Sequence, residues 1–258
     1  MSASTIRGTI AGLGSRANPA FAGGVVGVSV LALAYVSAYE VTGASVQAHT
    51  YIHVMAGLLW TGTDLFMGAV LGPVIGGLDE EESAAVFSRL TPKTAFFLPA
   101  MALVTIAGGI TLAQRVGLFP NAGPWLALFT AVNVIPVLLL VGRRLNAFGD
   151  RRWQAAFAVG TVGSLAWVAT TVGRLNPASP EPGLVILLAL GIVTLLSVQG
   201  FGYLMPGEIR MYREMTSANP DSGVIARIGT QNAKLGGIQG LFQLVVIALM
   251  VSLRYGGF

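Results

Sequence analysis

The chain has no cysteine. Disulfides, thiolate metal ligands, iron–sulfur clusters, c-type haem attachment and catalytic thiols are therefore all excluded. Charge is also scarce: Asp, Glu, Lys and Arg make up 10% of the 258 residues, against about 25% in a soluble domain. Histidine occurs twice, and Lys93 and Lys234 are the only lysines. No Walker loop, dinucleotide glycine pattern or hydrolase elbow stands in a credible context. What fills the chain is apolar, 54% of all residues, with a mean hydropathy of +0.73. The net charge of +4 would suit nucleic acid if the basic residues formed one face. They lie instead in short segments between apolar runs, so no nucleic-acid partner is expected.

Apolar runs of about 20 residues read as transmembrane helices. Seven are present, over about 20–39, 48–76, 94–115, 124–142, 153–173, 183–205 and 236–253. The expected fold is all-α: a single integral membrane domain over 1–258, a polytopic helix bundle in a lipid bilayer. Val36-Ser37-Ala38 weakly mimics a signal-peptidase site, but the leader before the apolar run is long, so the first span is read as an anchor. With the N-terminus inside, twelve of the 15 Lys and Arg fall on the cytoplasmic side, and Arg115, Arg174 and Arg254 fall outside. The positive-inside bias thus predicts a cell-membrane protein with a cytoplasmic N-terminus and an external C-terminus.

A weak repeat runs through the spans. Phe87-Ser88-Arg89-Leu90-Thr91 leads into a helix that leaves through Arg115, and Ile225-Ala226-Arg227-Ile228-Gly229 leads into one that leaves through Arg254. Each follows a span ending in proline, Pro73 or Pro206. A degenerate parallel duplication accounts for this order; chance likeness between apolar helices is the alternative. Gly68, Gly72 and Gly76 give the second span small-xxx-small steps suited to helix packing.

The second span carries most of the chemistry. His49, His53, Trp60, Asp64 and Met67 fall within about 60° of arc at 3.6 residues per turn. A carboxylate in hydrocarbon costs about 2.5–3.5 kcal/mol on insertion scales, so Asp64 should face the interior and find a partner. Asn133 and Gln243, near the middle of their own helices, are the expected ones. An inward Asp64 turns His49 and His53 inward too, near the outer end. On the seventh span Gln239, Gln243 and Met250 share a face, and Met250 falls at about the depth of His53. Imidazole with thioether suits copper or haem iron. Two histidines on one helix cannot bind one haem from opposite faces, so a haem would need Met250, another ligand or a second subunit. The structural alternatives are interfacial hydrogen bonding for the histidines, packing for Trp60, Met67 and Met250, and a polar contact for Asp64. Asp79-Glu80-Glu81-Glu82 reads as the acidic start of a short interfacial helix.

The segment Tyr51-Ile52-His53-Val54-Met55-Ala56-Gly57-Leu58-Leu59-Trp60-Thr61-Gly62 resembles the "His, apolar run, Trp-x-Gly" helix of CopD-like copper-resistance membrane proteins and of the HemJ-type protoporphyrinogen oxidase group. Ser88-Arg89-Leu90, Phe97-Leu98-Pro99-Ala100-Met101-Ala102-Leu103 and Gly108-Gly109 extend the likeness to HemJ over about 49–117. The HemJ resemblance implies haem b on His53, and the CopD resemblance implies copper handling across the membrane. The chain departs from HemJ in its greater length and in lacking the lysine-bearing segment after the matched helices, which puts porphyrinogen oxidation in doubt.

The function expected is therefore a membrane redox protein holding haem b near the outer face for electron transfer. His53 is its axial ligand, His49 supports it, Met250 is a second ligand and Trp60 lines the site. Asp64 is a proton or polar-network residue, and Arg115, Arg174 or Arg254 reach the propionates. The alternatives are a copper transporter using His49, His53 and Met250, and a non-catalytic subunit beside a membrane electron-transfer partner or a second copy of the chain.

Overall fold

A computed structural model describes residues 3–173 and 180–256. Every regular element among them is helical. In chain order these are α1 (Ala3–Ala17), α2 (Pro19–Ser37), α3 (Tyr39–Thr42), α4 (Val46–Phe66), α5 (Gly72–Gly76), α6 (Glu80–Arg115), α7 (Ala122–Arg144), α8 (Arg151–Val172), α9 (Leu184–Gln199), α10 (Met205–Met215) and α11 (Ser222–Tyr255). Two π turns, Met67–Leu71 and Gly200–Leu204, join α4 to α5 and α9 to α10. Seven of the resulting rods are long and apolar enough to cross a membrane. Large apolar side chains such as Val28, Leu31, Val159 and Leu184 are exposed on them, as lipid-facing residues are.

The two π turns have a common cause. Pro73 and Pro206 each stand two residues beyond a π turn. A proline offers no N–H to the carbonyl four residues back and its ring crowds that carbonyl. Those carbonyls belong to Ala69 and Gly202, both inside the widened turns. The same order of parts thus occurs twice: helix, π turn, proline, short helix, then a long helix started by aspartate. Asp79 Oδ1 accepts from the Glu82 N–H at 2.8 Å while Glu82 Oε2 accepts from the Asp79 N–H at 3.3 Å, a reciprocal capping box. Asp221 Oδ1 accepts from the Val224 N–H at 3.0 Å.

Both long helices begin well before the apolar runs that announce them. α6 starts at Glu80, continuous with the segment expected to form a separate interfacial helix, and α11 starts at Ser222. Their polar first halves are amphipathic, which a hydropathy window does not register. Ala84 and Phe87 of α6 and Ile225 and Ile228 of α11 pack with Ile75, Met211 and Met215 in one buried cluster. α1 lies outside the spans read from the sequence and packs on α2 and α10. Asn18 separates it from α2, with φ of 78° and a side chain that accepts from the Ala20 N–H at 2.9 Å.

The chain divides into two compact units, one comprising Ser2–Gly109 and Leu204–Leu244, the other Ile110–Tyr203 and Val245–Phe258. In the second, α7 packs against α8 and α9. Its polar interior is slight: Asn133 donates to the Phe129 carbonyl at 2.7 Å and to Thr194 Oγ1 at 3.4 Å. Trp153 donates to the Leu138 carbonyl at 3.1 Å and stacks on Phe157. The buried ionisable groups on α4 and their partners belong to the first unit.

Candidate functional site

The site is organised by α4. Ser45, in extended conformation, caps the helix by accepting from the Ala48 N–H at 3.1 Å. From there every third or fourth residue turns inward. His49, Ala56, Trp60, Thr61 and Asp64 are buried, and His53 is half-buried. Tyr51, Val54 and Leu58 on the opposite face are more than half exposed.

Both histidines are fastened to α6. His49 Nε2 lies 3.0 Å from the Gly108 carbonyl and His53 Nδ1 lies 2.9 Å from the Thr105 carbonyl. A carbonyl only accepts, so each of those nitrogens carries the hydrogen. The two side chains thereby use opposite ring nitrogens. His49 engages Nε2, whereas His53 keeps Nε2 as its basic nitrogen, and among the described residues that atom makes no hydrogen bond. The glycine pair on α6 makes the approach possible. A Cβ on Gly109 would meet His53 Cε1 at 2.7 Å. Gly109→Val should expel the imidazole and cost about 1–3 kcal/mol by overpacking. Thermal unfolding in detergent gives the stability change, and nitrogen NMR of the two histidines reports loss of the Thr105 bond.

Asp64 sits lower on the same stripe, 2% exposed. Gln243 Nε2 donates to Asp64 Oδ2 at 2.8 Å, and Trp60, one turn earlier, is its other side-chain hydrogen-bond partner. Of the two partners expected, Gln243 is the one present; Asn133 is engaged elsewhere. No ion pair joins Asp64 to a cation among the described residues. α11 comes close because it presents glycine. A Cβ on Gly236 would lie 3.4 Å from Asp64 Oδ1, one on Gly240 would press on Leu65, and one on Gly68 would coincide with the Gly237 backbone. Of the three glycines singled out on the second span, only Gly68 makes a helix crossing; Gly76 has open space beside it.

Glu208 was not read from the sequence as a site residue. It lies on α10, two residues after Pro206, and Thr94 Oγ1 of α6 is 3.1 Å from its Oε1. Glu208 and Asp64 interact electrostatically. Glu208 falls just beyond the expected span 183–205, beside a proline and a glycine. The signal available was the repeat itself, which puts Met205-Pro206-Gly207-Glu208 in the position of Gly72-Pro73-Val74-Ile75.

Arg115, Met250 and Arg254 belong to the second unit, Met250 partly buried and Arg254 exposed. Arg174 lies outside the described residues. Among the described residues no three His, Asp or Glu side chains come together as a metal site. For haem the fit extends to one axial histidine: His53 has the arrangement of an iron ligand, with the other ring nitrogen donating to a backbone carbonyl. His49, whose Nε2 is bonded to Gly108, does not offer the same nitrogen. Compared with protein-family models, curated proteins and solved structures, the chain finds no match in any of the three.

Proposed function

We propose that the chain is a proton-coupled membrane transport protein in which Asp64 takes up and releases the coupled proton. One observation carries this reading: a carboxyl group buried among membrane-spanning helices, held by the neutral donors Gln243 and Trp60 and by no cation. An ionised carboxylate in that setting is costly, and an intramembrane acid of this kind marks an ion or proton route. Protonation converts –COO⁻ to –COOH and removes the charge, so one group can face hydrocarbon in one state and water in the other. The π turn just after Asp64 supports the reading, since such turns concentrate at functional sites. So does the repeated helix–π turn–proline order, because transporters are commonly built from internal repeats. The protein is placed in the cell membrane with its N-terminus cytoplasmic and its C-terminus outside, following the basic-residue bias. The test is proton uptake into vesicles containing the purified protein, driven by a potassium diffusion potential. Uptake should exceed that of empty vesicles and fall to their leak in Asp64→Asn; equal uptake by the variant removes the reading.

A second reading is favoured by the His53–Thr105 bond and by the HemJ-like resemblance of 49–117. In it His53 holds haem b through Nε2, and the haem supplies one-electron exchange. Protein from haem-replete cells should then show a Soret band that His53→Ala abolishes and His49→Ala preserves. A wild-type sample without that band removes the reading. Metal analysis of the same sample tests copper, for which His53 offers its Nε2.

A further inference from the structure

We propose that Glu208 is a second proton-binding group on the route to Asp64, and that the Thr94 hydroxyl lets it hold or lose its proton without leaving a broken hydrogen bond. This rests on the reading of Asp64 as a proton carrier and names the group that exchanges with it. Thr94 Oγ1 has one hydrogen and three oxygens in reach: Glu208 Oε1 at 3.1 Å, the Thr91 carbonyl at 3.2 Å and the Leu90 carbonyl at 3.4 Å. Carbonyl oxygens only accept, whereas a carboxyl group accepts when ionised and can donate when protonated. With Glu208 ionised, the hydroxyl donates to Oε1. With Glu208 protonated, the hydroxyl swings to Thr91 or Leu90 and accepts from the carboxyl instead. Both states are satisfied by rotation of one side-chain bond.

The surroundings fit a group that changes charge. Among the described residues Glu208 has no ion pair that would hold it permanently ionised. Asp64 of α4 acts on it electrostatically, α6 contributes the Thr94 hydroxyl, and the neutral Asn232 of α11 lies beside the preceding residue, Gly207. A proton passing from Glu208 to Asp64 turns –COOH and –COO⁻ into –COO⁻ and –COOH, leaving the total charge unchanged. Asn232 borders the same segment. It donates to the Leu204 carbonyl at 3.1 Å, and its buried Oδ1, which no donor reaches among the described residues, is beside Gly207. The α11 residues around it, Thr230, Gln231 and Lys234, line a cavity of about 600 Å³ whose other wall includes Gly76, Glu80 and Ser83.

The experiment is infrared difference spectroscopy between about pH 6 and about pH 9, a range in which ordinary exposed glutamates stay ionised, on the protein in vesicles, with carboxyl-¹³C-glutamate labelling, together with the proton-uptake assay. A protonated-carboxyl C=O band should move on glutamate labelling, shift in Thr94→Val, keep its position in Thr94→Ser and vanish in Glu208→Gln. Uptake by Glu208→Gln should fall by about a hundredfold, the lower end of what a positioned proton donor contributes. A wild-type spectrum without a label-sensitive band overturns the proposal, and because it needs no variant, it stands whether or not the variants fold. Uptake lost in Asp64→Asn but intact in Glu208→Gln overturns the second site and leaves Asp64 in place. Uptake intact in both overturns the Asp64 reading and this proposal with it.

Discussion

Replacing Gly68 by leucine is expected to break the junction of the π turn after α4 with α11 and to cost about 3 kcal/mol, the upper end of ordinary overpacking. At most positions a larger side chain is accommodated by rotation of a flexible neighbour. Here the neighbour is backbone: a Cβ at Gly237 would lie 2.8 Å from the Gly68 Cα, and the reverse contact is closer still. Neither chain can yield without separating the helices. Separation also withdraws Gln243 from Asp64, since Gly236, Gly240 and Gln243 belong to the same stretch of α11. Thermal unfolding in detergent should therefore show a large loss for Gly68→Leu. Gly76→Ala, with nothing within 4 Å of its would-be Cβ, should be close to neutral or slightly stabilising. Similar losses at the two positions would show that the crossing does not depend on bare backbone.

The second large effect is expected at Gln243. Gln243→Leu removes a donor from a buried carboxylate and offers no water in exchange. Hydrogen bonds to charged groups are worth about 1.5–3 kcal/mol, against about 0.5–1.5 for neutral pairs. The loss should lie in the upper range at alkaline pH, where Asp64 is ionised, and shrink as the carboxyl is protonated. In an Asp64→Asn background the same substitution should cost only the neutral amount. The difference between backgrounds is the coupling energy of the pair. A cost independent of both pH and background would mean that Gln243 serves packing alone.

The seven spans were legible because a membrane leaves a coarse signature: long apolar runs with charges confined between them. The inward stripe on α4 was legible for a related reason, since Asp64 fixes which face turns from lipid and His49, Trp60 and their neighbours follow at helical spacing. The starts of α6 and α11 were not. Their first turns are amphipathic, and what sets them is the local chemistry of Asp79 with Glu82 and of Asp221. Gln243 could be proposed as a partner but not chosen over Asn133, because depth and face alone do not say which helices cross. That choice was made by glycines whose role needs a neighbour to be seen: Gly236 and Gly240 beside Asp64 and Leu65, and Gly109 beneath His53. Glu208 was hidden because an acid at the end of an apolar run usually marks the return to water. Only the Thr94 contact, 114 residues away in sequence, shows that it turns back into the protein.

Proton-coupled transport through this chain requires Asp64 to bind a proton within the membrane. The chain holds four aspartates, Asp64, Asp79, Asp150 and Asp221, and only Asp64 lies inside an apolar span. Carboxyl-¹³C-aspartate labelling therefore gives a spectrum simple enough for the Asp64 signal to be assigned by its absence in Asp64→Asn. This resonance is expected to titrate over the pH range in which vesicles containing the protein change their rate of proton uptake. A resonance that keeps one chemical shift throughout that range, while uptake varies, would contradict that requirement.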